Sequence, residues 1–130
     1  MENGHRKVLL VDDDRFLLDM YSLKLTKAGY DVKSADSPEG ALKILAEGFE
    51  PNVMLIDVVM PAMSGLEFVA HIRKEDIAPK SAIIMLTNQS ASEDIARSQK
   101  LKVDGYIVKA TTIPSEVLAE MEKICSSKKA

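Results

Sequence analysis

Two short apolar runs in this chain each end on a carboxylate. Val8-Leu9-Leu10-Val11 leads into Asp12, Asp13 and Asp14, and Val53-Met54-Leu55-Ile56 leads into Asp57. Continuous apolar runs of this length, cut off by polar residues, read as strands buried on both faces of a sheet. Two further runs have the same form, Ile83-Ile84-Met85-Leu86 ending on Thr87 and Tyr106-Ile107-Val108 ending on Lys109. A parallel sheet flanked by helices takes its ligands outside the carboxyl ends of its strands, where strand order reverses. Acids, a hydroxyl and an amine are therefore directed toward one end of one sheet.

The segments between these runs have helical periods. Leu18, Tyr21, Leu25 and Ala28 recur at offsets of three and four, and Gly29 is placed to end that helix. Asp31 to Ala35 is a short alternating strand suited to a sheet edge. Ser37 followed by Pro38 opens a second helix, with Ala41, Leu42, Leu45 and Ala46 as its buried face. Leu66, Phe68, Val69 and Ile72 mark a third. Ser92 with Glu93 and Asp94 opens a fourth, and Pro114 opens the last, with Val117, Leu118, Met121 and Ile124 inward. Strands alternating with helices through right-handed connections give an α/β fold, a single five-stranded parallel sheet with helices on both faces. The flavodoxin-like order 2-1-3-4-5 makes the first and third strands neighbours and brings Asp12, Asp13 and Asp57 to one crevice. The 130 residues read as a single domain, with 1–6 and 126–130 as flexible ends.

With 17 basic and 20 acidic residues the net charge is -3, which disfavours binding nucleic acid through its phosphates. The apolar runs fall far short of the roughly 18 residues of a membrane span, and Met1 to Lys7 lacks the apolar core of a signal peptide. A cytoplasmic location is expected. Cys125 keeps helical spacing with Leu118 and Met121 and reads as a small apolar residue. His5 and His71 sit in polar surroundings, and Met54, Met60, Met63 and Met85 read as core or loop fillers. Asp14 reads as the acid at a helix start rather than as a ligand.

Three carboxylates in one crevice repel one another, and a divalent ion relieves this. Hard oxygen donors without histidine or cysteine favour Mg²⁺, or the similar Mn²⁺, which would retain waters and admit a phosphate oxygen. Lys109 offers a compact positive charge and Thr87 a hydroxyl donor toward that phosphate. A carboxylate in Asp57's position can attack phosphorus and carry the group as an aspartyl phosphate.

Taken together, Val11-Asp12-Asp13-Asp14, Leu55-Ile56-Asp57 with Met60-Pro61 and Gly65, Leu86-Thr87, and Tyr106-Ile107-Val108-Lys109 resemble the receiver domain of bacterial two-component response regulators. The resemblance spans essentially the whole chain. It implies Asp57 as phosphoacceptor, Asp13, Asp57 and the Val59 carbonyl as direct metal ligands, and Asp12 as a ligand through water. It implies Thr87 and Lys109 as phosphoryl contacts, with Thr87 and Tyr106 as the switch pair. The helix opening at Ser92, the fifth strand and the last helix would form the face that controls a downstream protein or output domain. A sensor histidine kinase or phosphotransfer protein would be the donor. Such a chain is no turnover enzyme and catalyses only its own phosphoryl transfer and slow self-dephosphorylation. The chain departs from the family at Ala110, where proline is usual, and at Asn88, where alanine or serine is common. At Val59 an apolar residue stands where some relatives hold a water, leaving Gln89 as the nearby polar group that tunes dephosphorylation.

Other readings fit less well. A haloacid dehalogenase needs a second carboxylate two residues after the nucleophile, and Val59 stands there. Asp12 to Asp14 would repel the phosphate of a flavin. The alternative within the family, a degenerate receiver that docks partners without phosphorylation, would lack an acid or the lysine.

Overall fold

The structure is a computed structural model and describes residues 6–58, 60, 63–87, 103–108 and 114–129. Five strands, β1 (Lys7–Val11), β2 (Asp31–Ala35), β3 (Val53–Asp57), β4 (Ala82–Thr87) and β5 (Gly105–Val108), form one parallel sheet in the order β2-β1-β3-β4-β5. The described helices are α1 (Arg15–Lys27), α2 (Pro38–Ala46), α3 (Gly65–Lys74) and α4 (Pro114–Lys129). The helix expected from Ser92 lies outside the described residues. As its alternating sequence implied, β2 is an edge strand.

Alternate residues of each strand feed two separate cores. Val8, Leu10, Val53, Leu55, Ile84 and Leu86 pack beneath α1 and α4 with Leu18, Tyr21, Leu25, Val117 and Met121. Leu9, Val11, Met54, Ile56, Ile83 and Met85 pack beneath α2 and α3 with Ala41, Leu66, Phe68, Val69 and Ile72. Burial on both faces is why the β1, β3 and β4 sequences are near-continuously apolar rather than alternating.

Caps fix where the helices begin. Asp14 accepts the N–H groups of Phe16 and Leu17 at 3.1 and 3.2 Å, so its carboxylate serves α1, as expected of an acid at a helix start. Ser37 Oγ accepts Gly40 N–H at 3.1 Å with Pro38 in the first turn of α2. Ser64 and Glu67 form a reciprocal capping box on α3. Gly29 and Gly48, with φ of 101° and 106°, turn the chain out of α1 and α2 in the left-handed region that glycine adopts freely.

Three details differ from the sequence reading. Ala28 is the C-cap of α1 and exposed, because the helix has ended before its side chain can face the core. Ala46 is also exposed, while Ile44 joins Leu42 and Leu45 against the core, since α2 is short and its inward stripe is centred on Ala41. Finally, α4 continues to Lys129, past the start of the expected free end at 126; nothing in Ser126-Ser127-Lys128-Lys129 breaks a helix.

The register is pinned at the sheet end opposite the acids. Lys7 N–H donates to Asn52 Oδ1 and Asn52 N–H to Lys7 O, both at 2.8 Å. Ile83 N–H donates to Asp104 Oδ2 and Asp104 N–H to Ile83 O, both at 2.7 Å. A one-residue slip would exchange the two cores of every strand, so these anchors and the burial pattern enforce the same alignment.

Across the first core, the buried Tyr30 donates its hydroxyl to Glu122 Oε2 of α4 at 2.7 Å. Burial first, then the hydrogen bond to Glu122 and its negative charge, push the Tyr30 phenol well above its ordinary value near 10.0. Above about pH 10 the unfolded chain releases this proton while the folded chain retains it, so stability falls as pH rises further. Below that pH the contribution is constant. Denaturant midpoints measured from pH 8 to 11 should therefore fall less steeply at the alkaline end for Tyr30→Phe than for wild type; parallel curves would rule out this role for Tyr30.

Candidate metal and phosphoryl site

Strand register delivers the acids to one level. Val11 lies opposite Ile56 in the β1–β3 pairing, so Asp12, the next residue, comes level with Asp57 at the end of β3. Asp57 in turn lies opposite Leu86, which puts Thr87 one step beyond it and opposite Val108 of β5. Reversal of strand order at β1 and β3 opens the crevice into which the acids project.

One carboxylate oxygen from each of Asp12, Asp13 and Asp57 can be chosen so that all three lie within 4.8 Å of one another. Asp12 and Asp57 are only 1% and 3% exposed, and Asp13 faces solvent. The Asp12 N–H donates to Ala35 O at 3.1 Å, holding the residue at the top of the β1–β2 pair. Its Oδ1 accepts the Asp14 N–H at 2.9 Å, which turns the chain sharply into α1 and leaves Asp13 on the outer wall. Asp57 is held by the sheet: the next residue's N–H donates to Leu86 O at 2.9 Å.

Two carboxylates about 4 Å apart repel by roughly 1 kcal/mol in water and about 4 kcal/mol at the effective dielectric of a protein surface. Two buried acids and one exposed acid thus form a concentrated negative site open on one side. The donors are all hard oxygens, which fits Mg²⁺ or Mn²⁺ rather than a softer metal. This acidic cluster fits Mg²⁺ binding.

Thr87 is buried at the end of β4, 6% exposed. Tyr106 is half-buried in β5, opposite Met85, and packs against the core under α2 and α3. The structure therefore brings together Asp12, Asp13 and Asp57 and places Thr87 on the adjoining strand end. Val59, Gln89 and Lys109, with Asn88 and the Lys109–Ala110 bond, lie outside the described residues. His71 is exposed, and Met54, Met60 and Met85 are buried fillers as expected.

Helix α1 carries features that sequence reading did not single out. Arg15 Nη1, at the start of α1, pairs with Asp36 Oδ2, just after β2, at 2.8 Å, an exposed pair that contributes little to stability. Phe16 and Leu23 are 72% and 58% exposed on α1. The signal for these two was present: they fall on the opposite face of the helix from Leu18, Tyr21 and Leu25.

Comparison with known proteins gives a consistent picture. A family model described as the response regulator receiver domain matches residues 8–121. The chemotaxis protein CheY4 of Vibrio cholerae is 32% identical, with 92% of this chain and 98% of that one covered at a TM-score of 0.84. A CheY-like receiver domain protein from Methanospirillum hungatei is 27% identical over 95% of this chain and 96% of its own, also at 0.84. The phosphate regulon transcriptional regulatory protein PhoB of Escherichia coli is 28% identical over 119 residues, 92% of this chain but 51% of PhoB. The chain thus spans about half the length of the curated relatives it matches. Among the described residues no helix is long and apolar enough to cross a membrane. A family match extending from β1 into α4, over a sheet of the same topology, decides membership: the chain belongs to the family of response regulator receiver domains.

Proposed function

We propose that this receiver accepts a phosphoryl group on Asp57 in a Mg²⁺-dependent step and uses the change to control a partner or output domain. The observation that carries this reading is the convergence of Asp12, Asp13 and Asp57 at the switch point of the sheet. Asp57 attacks phosphorus, the bond to the donor's leaving group breaks, and the acyl phosphate remains on the end of β3. Asp12, Asp13 and Asp57 are the side chains that would hold the ion, with the Val59 carbonyl. Bound there, Mg²⁺ would neutralise the acids and draw charge from the phosphoryl oxygens. Thr87 donates its hydroxyl and Lys109 its charge to the transferred group. Thr87 drawn toward the phosphoryl group would leave space for Tyr106, altering the face that includes β5 and α4.

The donor is a histidine kinase or phosphotransfer protein, or a small acyl phosphate. A protein donor reaching Asp57 would find exposed Phe16, in the first turn of the helix that follows Asp12 to Asp14, as an apolar contact. The output partner docks on the β5 and α4 side. The chain turns over no external substrate and so is not an enzyme in the usual sense. The test is incubation with acetyl phosphate, with Mg²⁺ or with chelator, followed by intact-mass measurement: one phosphoryl group gained only with Mg²⁺ supports the reading, and equal gain under chelation counts against it.

Lifetime of the phosphoryl group follows from its neighbours. Hydrolysis needs a water held in line, and the apolar Val59 side chain supplies no hydrogen bond to hold one, which leaves Gln89 as the candidate for that role. Self-dephosphorylation is therefore slow, and Val59→Asn should speed it. Unchanged or slower phosphate loss in that variant would remove Val59 from the account.

A further inference from the structure

Gly65 opens α3. Glycine is a poor helix former, and among the described residues the positive-φ glycines are Gly29 and Gly48, so Gly65 supplies no backbone conformation that alanine lacks. What it supplies is room. A Cβ at this position would overlap the carbonyl oxygen and carbon of Asp57 and press on Ile56 Cγ2 at 3.1 Å. The obstructing atoms are chiefly backbone, which cannot rotate aside.

The same contact is drawn tight by hydrogen bonds. Gly65 N–H donates to Val58 O at 2.8 Å, while Val58 N–H donates to Leu86 O at 2.9 Å. Val58, the residue that follows Asp57, is thereby held between β4 and the first turn of α3. The helix itself is not free to retreat: Ser64 and Glu67 close its capping box at 3.1 and 2.9 Å, and Leu66 and Phe68 are fully buried.

Resting on the receiver reading above, we propose that Gly65 is a positioning residue for phosphoryl transfer. Its missing side chain seats α3 against the main chain of Asp57 and so fixes the direction in which that carboxylate enters the crevice. Asp12 and Asp13 are carried by β1, which α3 does not hold in this way, so a bulkier residue at 65 displaces Asp57 relative to its two partners. Misplacing a reacting group by about an ångström costs on the order of 100-fold in rate.

The experiment compares wild type, Gly65→Ala and Ser64→Ala, phosphorylated by acetyl phosphate at saturating Mg²⁺ and below the unfolding transition of all three. Initial rates come from intact mass and folding from circular dichroism. Gly65→Ala is expected to lose at least about tenfold in maximal rate with little change in the donor concentration giving half that rate. Ser64→Ala, which weakens the same helix by removing its cap, is expected to melt earlier yet keep its rate within about twofold. A rate for Gly65→Ala within twofold of wild type, or an equal loss in Ser64→Ala, overturns the proposal. If Gly65→Ala does not fold, wild type decides: coupling between site and seat is reciprocal, so filling the site with Mg²⁺ and beryllofluoride should slow hydrogen exchange of the Gly65 amide, and unchanged exchange overturns the proposal. Wild type that takes up no phosphate with Mg²⁺ sinks the proposed phosphoryl-acceptor function itself, and the proposal with it.

Discussion

Asp57→Asn is expected to take up no phosphate from acetyl phosphate and Mg²⁺ under conditions where wild type is fully modified. The amide keeps the shape of the carboxylate at the end of a buried strand, so the sheet and both cores persist, but the nucleophilic charge is gone. Asp12→Asn and Asp13→Asn leave the proposed nucleophile in place and remove an acid proposed to hold the metal, so they should slow the reaction rather than redirect it. Intact mass after incubation of the four proteins distinguishes these outcomes. Phosphate gained equally by Asp57→Asn and wild type would remove Asp57 from its assigned role.

Metal-free protein should become more stable when Asp13 is changed to asparagine. Asp13 shares its site with two buried acids, and the unfolded chain relieves that repulsion. Because Asp13 faces solvent the gain is screened, on the order of 1 to 2 kcal/mol at low salt. Asp12 is a poorer choice for this test, because its Oδ1 also accepts the Asp14 N–H and its loss would loosen the entry to α1. Mg²⁺ bound only to the folded form adds RT ln(1 + [L]/Kd), about 2.7 kcal/mol at a hundredfold excess over Kd. Wild type should therefore gain from Mg²⁺ and Asp13→Asn should gain far less. Denaturant unfolding at pH 7 with and without Mg²⁺ measures both effects. An Asp13→Asn protein less stable than wild type without metal, or equally stabilised by it, contradicts the acidic-site account.

Much of this was legible in the chain because burial on both faces leaves a strong mark. Leu9-Leu10-Val11 and Met54-Leu55-Ile56 can sit only in a central strand, and the polar residue after each run marks the carboxyl end of the sheet. The edge position of β2 followed from its mixed pattern, and the capping role of Asp14 from its place before an apolar helical stripe. Details decided by packing were less visible. Whether Ala28 and Ala46 face the core depends on where a helix stops, and alanine is accepted on either side. The contact between Gly65 and the Asp57 carbonyl joins residues eight apart through a loop, so neither helical nor strand periodicity reports it. The Tyr30–Glu122 bond spans 92 residues and has no local signature at all.

The acids ending β1 and β3 are proposed to make one Mg²⁺-dependent acceptor whose nucleophile is Asp57. The most direct measurement reduces the phosphorylated protein with borohydride, which converts an aspartyl phosphate to homoserine, and locates the change by peptide mass spectrometry. Homoserine at position 57 alone, appearing with Mg²⁺ and absent with chelator, is the predicted result. Homoserine at position 12 or 13, or at 57 to the same extent without metal, would contradict it.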